Sequence, residues 1–382
     1  MRIINKSRIP SRYHGSVHQC KTFPAFELLP SGRWLAGWKA AEKKTDAIHK
    51  TAQMTWSDDQ GATWVPAFEP VKLPNIEGKP GQVISLYFLS LGGDRVLMVL
   101  NWVDESRPDL PFYDPKDESL KDTRIFYCFS ENGGESWSDP LLMDTSGVGG
   151  PVPLTGPPIR LGDGSVLCQF EVNKYKGDPN KWIHRSAMIR SLDNGITWKN
   201  PTIVTNIPDM YYWDQRPNVL LDGTTLVNYF WTLDGKKNTY LNIHESKSID
   251  GGNTWSQPMD TGIYGQPGRP VQLQDGRIAC VSIDRTSLPV ITIWIKEGLN
   301  EPFSVNLEVH RSAQPRQDSQ KVSMNEAWQE MAAFSVGHPN LLYLGGTEVL
   351  AYYYAGLHHD CTDICYAHIS LEKNKVKTLN RA

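Results

Sequence analysis

The sequence predicts an all-β fold, a six-bladed β-propeller, in a single domain spanning residues 1–382. Three observations predict it. The pattern S-x-[DN]-x-G-x-[ST]-W occurs four times, at Ser57–Trp64, Ser130–Trp137, Ser191–Trp198 and Ser248–Trp255. The copies begin 73, 61 and 57 residues apart, and a recurring period of this size marks a repeat architecture. Six tight-turn signals recur between apolar runs, which is the hairpin signature. Composition agrees: 13 Trp, 15 Tyr, 31 Gly and 26 Pro suit many short strands joined by turns.

Each part of the octapeptide has a mechanical reason. The Ser and the Asp or Asn can bond backbone N–H groups of a tight turn. The Gly takes a left-handed φ. The Trp anchors the hairpin on the sheet beneath.

The blades follow in order. Blade 1, residues 20–75, turns at Pro30-Ser31-Gly32-Arg33 and carries the first octapeptide. Blade 2, 80–145, turns at Gly92-Gly93-Asp94 and carries the second. Blade 3, 153–206, turns at Gly162-Asp163-Gly164, and blade 4, 213–262, at Asp222-Gly223; they carry the third and fourth. Blade 5, 266–312, turns at Gln274-Asp275-Gly276 between the strands Val271–Leu273 and Ile278–Val281. Blade 6, 328–372, turns at Gly345-Gly346-Thr347. These two lack the octapeptide, and Ile291–Glu297 and Ile364–Ile369 are their expected third strands. Blade 6 shows no fourth strand. Arg2–Ile9 is expected to supply it, closing the ring and removing exposed sheet edges. Asp104–Asp122 and Arg311–Ala327 are insertions, expected as loops.

Composition excludes several classes. With 39 basic against 42 acidic residues the net charge is −3, so neither nucleic acid nor an anionic membrane is an expected partner. No apolar run reaches membrane-spanning length. The start, Met1–Arg8, lacks an apolar segment, so a cytoplasmic location is expected, or an extracellular one if a leader has been removed. The six cysteines are scattered and read as buried free thiols, with a Cys361–Cys365 bridge, or a metal held there with nearby His, left open.

Connectivity places the octapeptides and first hairpins at one end of the ring. Starts of first strands and ends of second strands gather at the other end, around a central mouth. Candidate catalytic residues there are Asp46, Asp214, Glu171, Glu330 and Tyr353. Candidate substrate-binding residues are Arg216, Arg269, Arg285, Gln266, Lys39 and His359. No cofactor and no metal is expected. His358 and His359 are adjacent, so on a strand their rings would face opposite sides and not share one ion.

The octapeptide resembles the Asp-box of the sialidase-like (BNR-repeat) β-propellers. The resemblance covers nearly the whole chain as architecture, and patches of it as motif. The family opens its first blade with an aromatic-Arg-Ile-Pro motif; here Lys21-Thr22-Phe23-Pro24 puts Thr22 at the Arg. Arg8-Ile9-Pro10 has no apolar strand after it. The family's general-acid Asp precedes the first Asp-box by about a dozen residues, and Asp46 lies 11 before Ser57. The family's blade-4 Glu-Pro is Arg216-Pro217 here, with Asp214 two residues earlier on the same side of an extended strand. Trp231 stands near the position of a family Arg, and Asn325–Glu330 holds no Tyr to match the family nucleophile. The resemblance therefore implies the fold and a carbohydrate substrate more than N-acetylneuraminate hydrolysis.

The expected activity is an exo-acting glycoside hydrolase on an acidic terminal sugar. Asp46 would be the acid, with Asp214, Glu171 or Glu330 opposite, since this chemistry needs two carboxyl groups. The arginines would grip a carboxylate through paired N–H groups. One alternative is a polysaccharide lyase performing β-elimination on uronates, with His359, His184, Tyr212 or Tyr353 as base. The other is a non-catalytic carbohydrate-binding propeller.

Overall fold

A computed structural model describes residues 1–10, 15–45, 49–315 and 317–373. Its described residues form an all-β propeller with one α-helix. Four sheets stand alone. Sheet I runs Gly81–Gly92, Arg95–Asp104, Thr123–Ser130 and Leu141–Leu142. Sheet II runs Ile159–Arg160, Val166–Val172, Arg185–Ser191 and Lys199–Thr205. Sheet III runs Met210–Val219, Leu226–Asp234, Asn242–Ser248 and Met259–Tyr264. Sheet IV runs Gln266–Pro267 with Val271–Gln272, then Ile278–Asp284, Val290–Lys296 and Phe303–Arg311.

Sheet V has seven strands in two halves. One half holds Cys20–Leu28, Trp34–Ala41 and Thr51–Ser57; the other holds Val336–Gly345, Glu348–His358 and Cys361–Ser370. A single parallel residue pair, Cys20 with Thr362, joins them. Arg2–Arg8 pairs antiparallel along Cys361–Ser370, from Arg2 opposite Ser370 to Arg8 opposite Cys365. The N-terminus thus covers the edge that the last strands would expose.

All four octapeptides build the same turn. The Ser Oγ accepts from the Gly N–H at 2.8 Å and donates to the Asp or Asn Oδ1 at 2.7–2.9 Å. In three, the Asp also accepts from the N–H and the hydroxyl of the following Thr. The Gly residues sit at φ +86° to +90°, where a side chain would be strained. The indoles pin the turns: Trp137 stacks on Phe88, and Trp64 Nε1 donates to Tyr366 Oη at 3.2 Å. The core lies between neighbouring sheets, as where Leu35 and Met54 meet Phe88 and Val99.

Two expectations about the insertions change. The last sheet half begins at Val336, and Met324–Ala333 is a helix. Ser323 caps it in a reciprocal box with Glu326, a signature present in the sequence. The 104–122 insertion forms a short hairpin, Tyr113–Asp114 with Ser119–Leu120. The two insertions meet: Trp328 stacks on Tyr113 with centroids 5.3 Å apart, and Trp328 lies 6.3 Å from Trp213 of sheet III. All six cysteines are free, and four are buried. Among the described residues no helix is long and apolar enough to cross a membrane.

The octapeptide carboxyls set an acid limit on stability. Bonds from Thr63 and Ser57 hold Asp59 at about 2, below the ordinary 3.8. Partial burial pushes Asp193 and Asp250 up, but the Thr197 and Thr254 bonds outweigh it and leave both at about 2. Each folded-state value lies below the unfolded one, so the stabilisation is present above about pH 4 and lost as pH falls towards 2. Asn132 already makes the same turn with an amide. The triple variant Asp59→Asn/Asp193→Asn/Asp250→Asn is therefore expected to stay folded at pH 7 and to lose less stability between pH 4 and 2 than wild type. Denaturant unfolding across that range is the measurement; parallel acid limbs would refute the assignment.

Candidate functional site

Three strands that border the site are each broken at one left-handed residue. Phe23, Asp214 and His338 have left-handed φ values of +55°, +49° and +47°. Each lies at a register shift in its strand pair: between Thr22 and Ala25, Trp213 and Arg216, and Gly337 and Asn340. Proline recurs nearby, with Pro24 and Pro339 inside their shifts and Pro217 one residue past its own. Proline has no N–H to give a ladder, so it falls naturally at bulges, and bulges redirect side chains.

The redirected groups form one polar network. Arg216 Nη2 lies 3.4 Å from Asp214 Oδ1 and donates to His338 Nδ1 at 3.2 Å. Its Nη1 donates to the carbonyls of Thr155 and Gln215. Gln266 bridges: its Nε2 donates to Asp214 Oδ2, and its Oε1 accepts from Arg285 Nη2 at 2.8 Å. Arg285 also donates from Nε to the Val336 carbonyl at 3.0 Å and lies 3.9 Å from the Phe334 ring centroid. Arg216 and Arg285 are each 1% exposed. Arg216 Nε and Arg285 Nη1 are buried without an acceptor among the described residues.

Burial would raise the Asp214 carboxyl, but Arg216, the Gln266 amide and Arg285 together hold it below its ordinary value. Glu171 accepts the Asp214 N–H at 2.8 Å, and its other oxygen lies 3.4 Å from His184 Nε2, too poorly aimed for a hydrogen bond. Lys44 reaches in from the first half of sheet V. Its Nζ donates to the Phe334 carbonyl at 2.6 Å and to Tyr354 Oη at 3.0 Å. Burial and then Arg285 hold this amine well below its usual range.

His338 is held neutral. Burial lowers it to about 3, and repulsion from Arg216, Arg285 and Lys44 adds to this against the pull of Asp214. Because Arg216 donates to Nδ1, the ring proton belongs on Nε2.

Not every expected residue joins this network. Asp214, Arg216, Gln266 and Arg285 are in it, and Glu171 attaches through the Asp214 backbone. Lys39 is buried beside it, its Nζ donating to the Lys44 carbonyl at 3.1 Å and lying 5.6 Å from the Phe23 ring. Arg269 lies in a separate layer, donating to Asn218 Oδ1 at 2.7 Å and facing Glu27, whose carboxyl burial pushes up to about 7. Glu330 sits on the helix, half-buried, with Oε2 unpartnered. His359 lies on the turn after Glu348–His358. Tyr353 points into the seam between sheets IV and V beside His310, at 5.1 Å, so Tyr354 is the tyrosine of the network. Asp46 lies outside the described residues. Thr22 is wholly buried, and Trp231 stacks on Tyr240 at 4.9 Å. His338, Lys44, Tyr354, Phe23 and Phe334 were not expected. The recurring X-Pro in first strands was the available signal for His338.

No protein-family model and no curated protein matches the chain. Solved structures do. A protein of unknown function from Dyadobacter fermentans aligns with TM-score 0.74 at 18% identity, over 97% of this chain and 99% of that one. The intramolecular trans-sialidase from Ruminococcus gnavus aligns at TM-score 0.65 and 14% identity, over 97% and 98%. The α-L-arabinanase of Penicillium chrysogenum aligns at 0.63 and 15%, over 97% and 99%. The fold is therefore a sialidase-like β-propeller, an architecture shared with glycoside hydrolases; at these identities the likeness establishes fold alone.

A neutral, Nε2-protonated His338 has a direct readout. Nitrogen-15 NMR of the imidazoles is expected to show one ring fixed as the Nε2–H tautomer across pH 5–8 and lost in His338→Gln. A ring titrating near 6.5 at this position would contradict the assignment.

Proposed function

We propose that this chain is a carbohydrate-active enzyme that takes an acidic sugar at the central mouth and hydrolyses its glycosidic bond. The observation that carries this reading is charge: Arg216 pairs with Asp214, Arg285 has only the longer-range pull of Asp318 and Asp214, and each buried guanidinium keeps an N–H without an acceptor among the described residues. A uronate or ulosonate carboxylate would complete that balance through charge-assisted bonds that a neutral sugar lacks.

Asp214 is ionised and fits the base or nucleophile of a two-carboxyl mechanism. The acid falls to Glu330, whose unpartnered oxygen is on the mouth-side helix, or to Asp46. Neutral His338 would donate Nε2–H to a substrate oxygen without itself titrating. The fold reading that goes with this is a single-domain, six-bladed ring. It counts the two halves of sheet V as separate blades, supported by the lone pair joining them and by the added N-terminal strand.

One observation favours lyase chemistry instead. The Lys44 amine, held well below its usual range, lies 3.0 Å from Tyr354 Oη, and burial pushes that phenol up and keeps it protonated, so the pair offers a neutral base beside an acid. The amine would remove the proton α to a uronate carboxylate, the electron pair would form the double bond, and the Tyr354 phenol would protonate the departing β-oxygen.

A panel of aryl glycosides and uronate oligosaccharides separates these outcomes. Hydrolysis is expected to release reducing sugar without an unsaturated-uronate ultraviolet band, and Asp214→Asn to cut turnover about 10²–10⁴-fold. The ultraviolet band, with loss of activity in Tyr354→Phe, would select the lyase. Binding of acidic sugar with no turnover would select a carbohydrate-binding propeller, and full activity in Asp214→Asn would remove that residue from the chemistry.

A further inference from the structure

The turn joining Glu348–His358 to Cys361–Ser370 brings His358, His359 and Asp360 together, with one donor atom from each within 4.8 Å of the others. Alternation along a strand would send adjacent rings to opposite faces. A register shift between Ala355 and His358 breaks that alternation, and the two rings lie face to face, centroids 4.0 Å apart and tilted by 33°. The expectation that the two rings face opposite sides therefore fails.

We propose that this turn is a binding site for one zinc-class divalent cation. Two imidazoles and a carboxylate are the donor set that such borderline ions take, with a fourth position left for water or a ligand oxygen. One edge already has the right length. His359 Nε2 and Asp360 Oδ2 are 3.5 Å apart. Two ligands bound at about 2.0–2.2 Å with tetrahedral angles lie about 3.3–3.5 Å apart. The third donor is His358 Nδ1, whose lone pair faces the turn and accepts the Asp360 N–H at 3.2 Å. A small rotation of this exposed side chain would turn that lone pair to the ion and leave the ring proton on Nε2.

Outer bonds fix the turn, as metal sites require. Asp360 Oδ1 accepts the Lys44 N–H at 2.8 Å, and the His359 carbonyl accepts from Cys20 Sγ at 3.3 Å. Gly356 leaves no room for change beneath it, since a Cβ there would come within 1.9 Å of the Cys361 carbonyl oxygen. The ion would thus sit on the rim of the mouth, hydrogen-bonded through Asp360 to the backbone of the residue whose amine lines the polar network. This site stands independently of the proposed reaction.

Isothermal titration of the full chain with zinc chloride, after removal of bound metal by chelator, tests it. One equivalent is expected to bind saturably, and His358→Ala and His359→Ala are each expected to weaken binding at least about 10-fold. Calcium chloride is expected to give no saturable heat, since two imidazoles suit it poorly. Cobalt(II) offers a second readout: wild type is expected to show the intense visible bands of a four-coordinate ion, and the two variants not. Either variant is expected to keep its melting temperature without metal, because both rings lie on the surface turn. No saturable zinc binding in wild type would overturn the proposal, and so would unchanged binding in both variants.

Discussion

Two buried guanidinium groups meet the partly exposed Asp214 carboxylate, and much of the architecture answers to the need to satisfy them. A buried cation is costly unless it is paired or fully hydrogen-bonded. Arg216 meets the requirement with Asp214 and with carbonyls of Thr155 and Gln215. Arg285 has no carboxylate within ion-pair distance among the described residues, and relies on the Val336 carbonyl, the Gln266 amide oxygen and the Phe334 face. These partners come from sheets II to V. The same bonds that hold the charges therefore hold the sheets in register around the axis, and removing one would leave an unpaired group in each of two neighbours.

The opposite end of the molecule carries the stability. There the octapeptides satisfy their own backbone groups within eight residues and pin each hairpin with an indole. The network end holds the left-handed Phe23, Asp214 and His338 and the register shifts around them. Such strain is expected where a site is built. The helix Met324–Ala333 belongs to this end as well, since it ends one residue before Phe334, the ring that supports Arg285.

What was legible in the sequence follows from range. The octapeptides, the glycine turns and the missing fourth strand are local signals, so the all-β propeller and the N-terminal strand could be read directly. Asp214, Arg216, Gln266 and Arg285 could be grouped because strand connectivity alone brings them near one another, and they share one network. Residues near bulges could not. One residue of slip moves a side chain to the other face, and the shift between Ala355 and His358 is why His358 and His359 face each other. Arg269 was assigned to the mouth by its place at a strand start, but it lies three residues further along the chain than Gln266 and joins Glu27 in another layer. The helix was missed although its Ser323–Glu326 capping box is written in the sequence, because a propeller template assigns that stretch to a loop.

The central claim is that the buried arginines exist to receive a carboxylate. Calorimetric titration of wild type and Arg285→Met with an acidic monosaccharide and with its carboxyl-reduced analogue tests it most directly. The account predicts that the substitution weakens the acidic sugar by roughly 2–5 kcal/mol, as for truncating one partner of a buried charge pair, and barely changes the neutral analogue. Equal weakening of both sugars would contradict it and would mean that Arg285 only shapes the mouth.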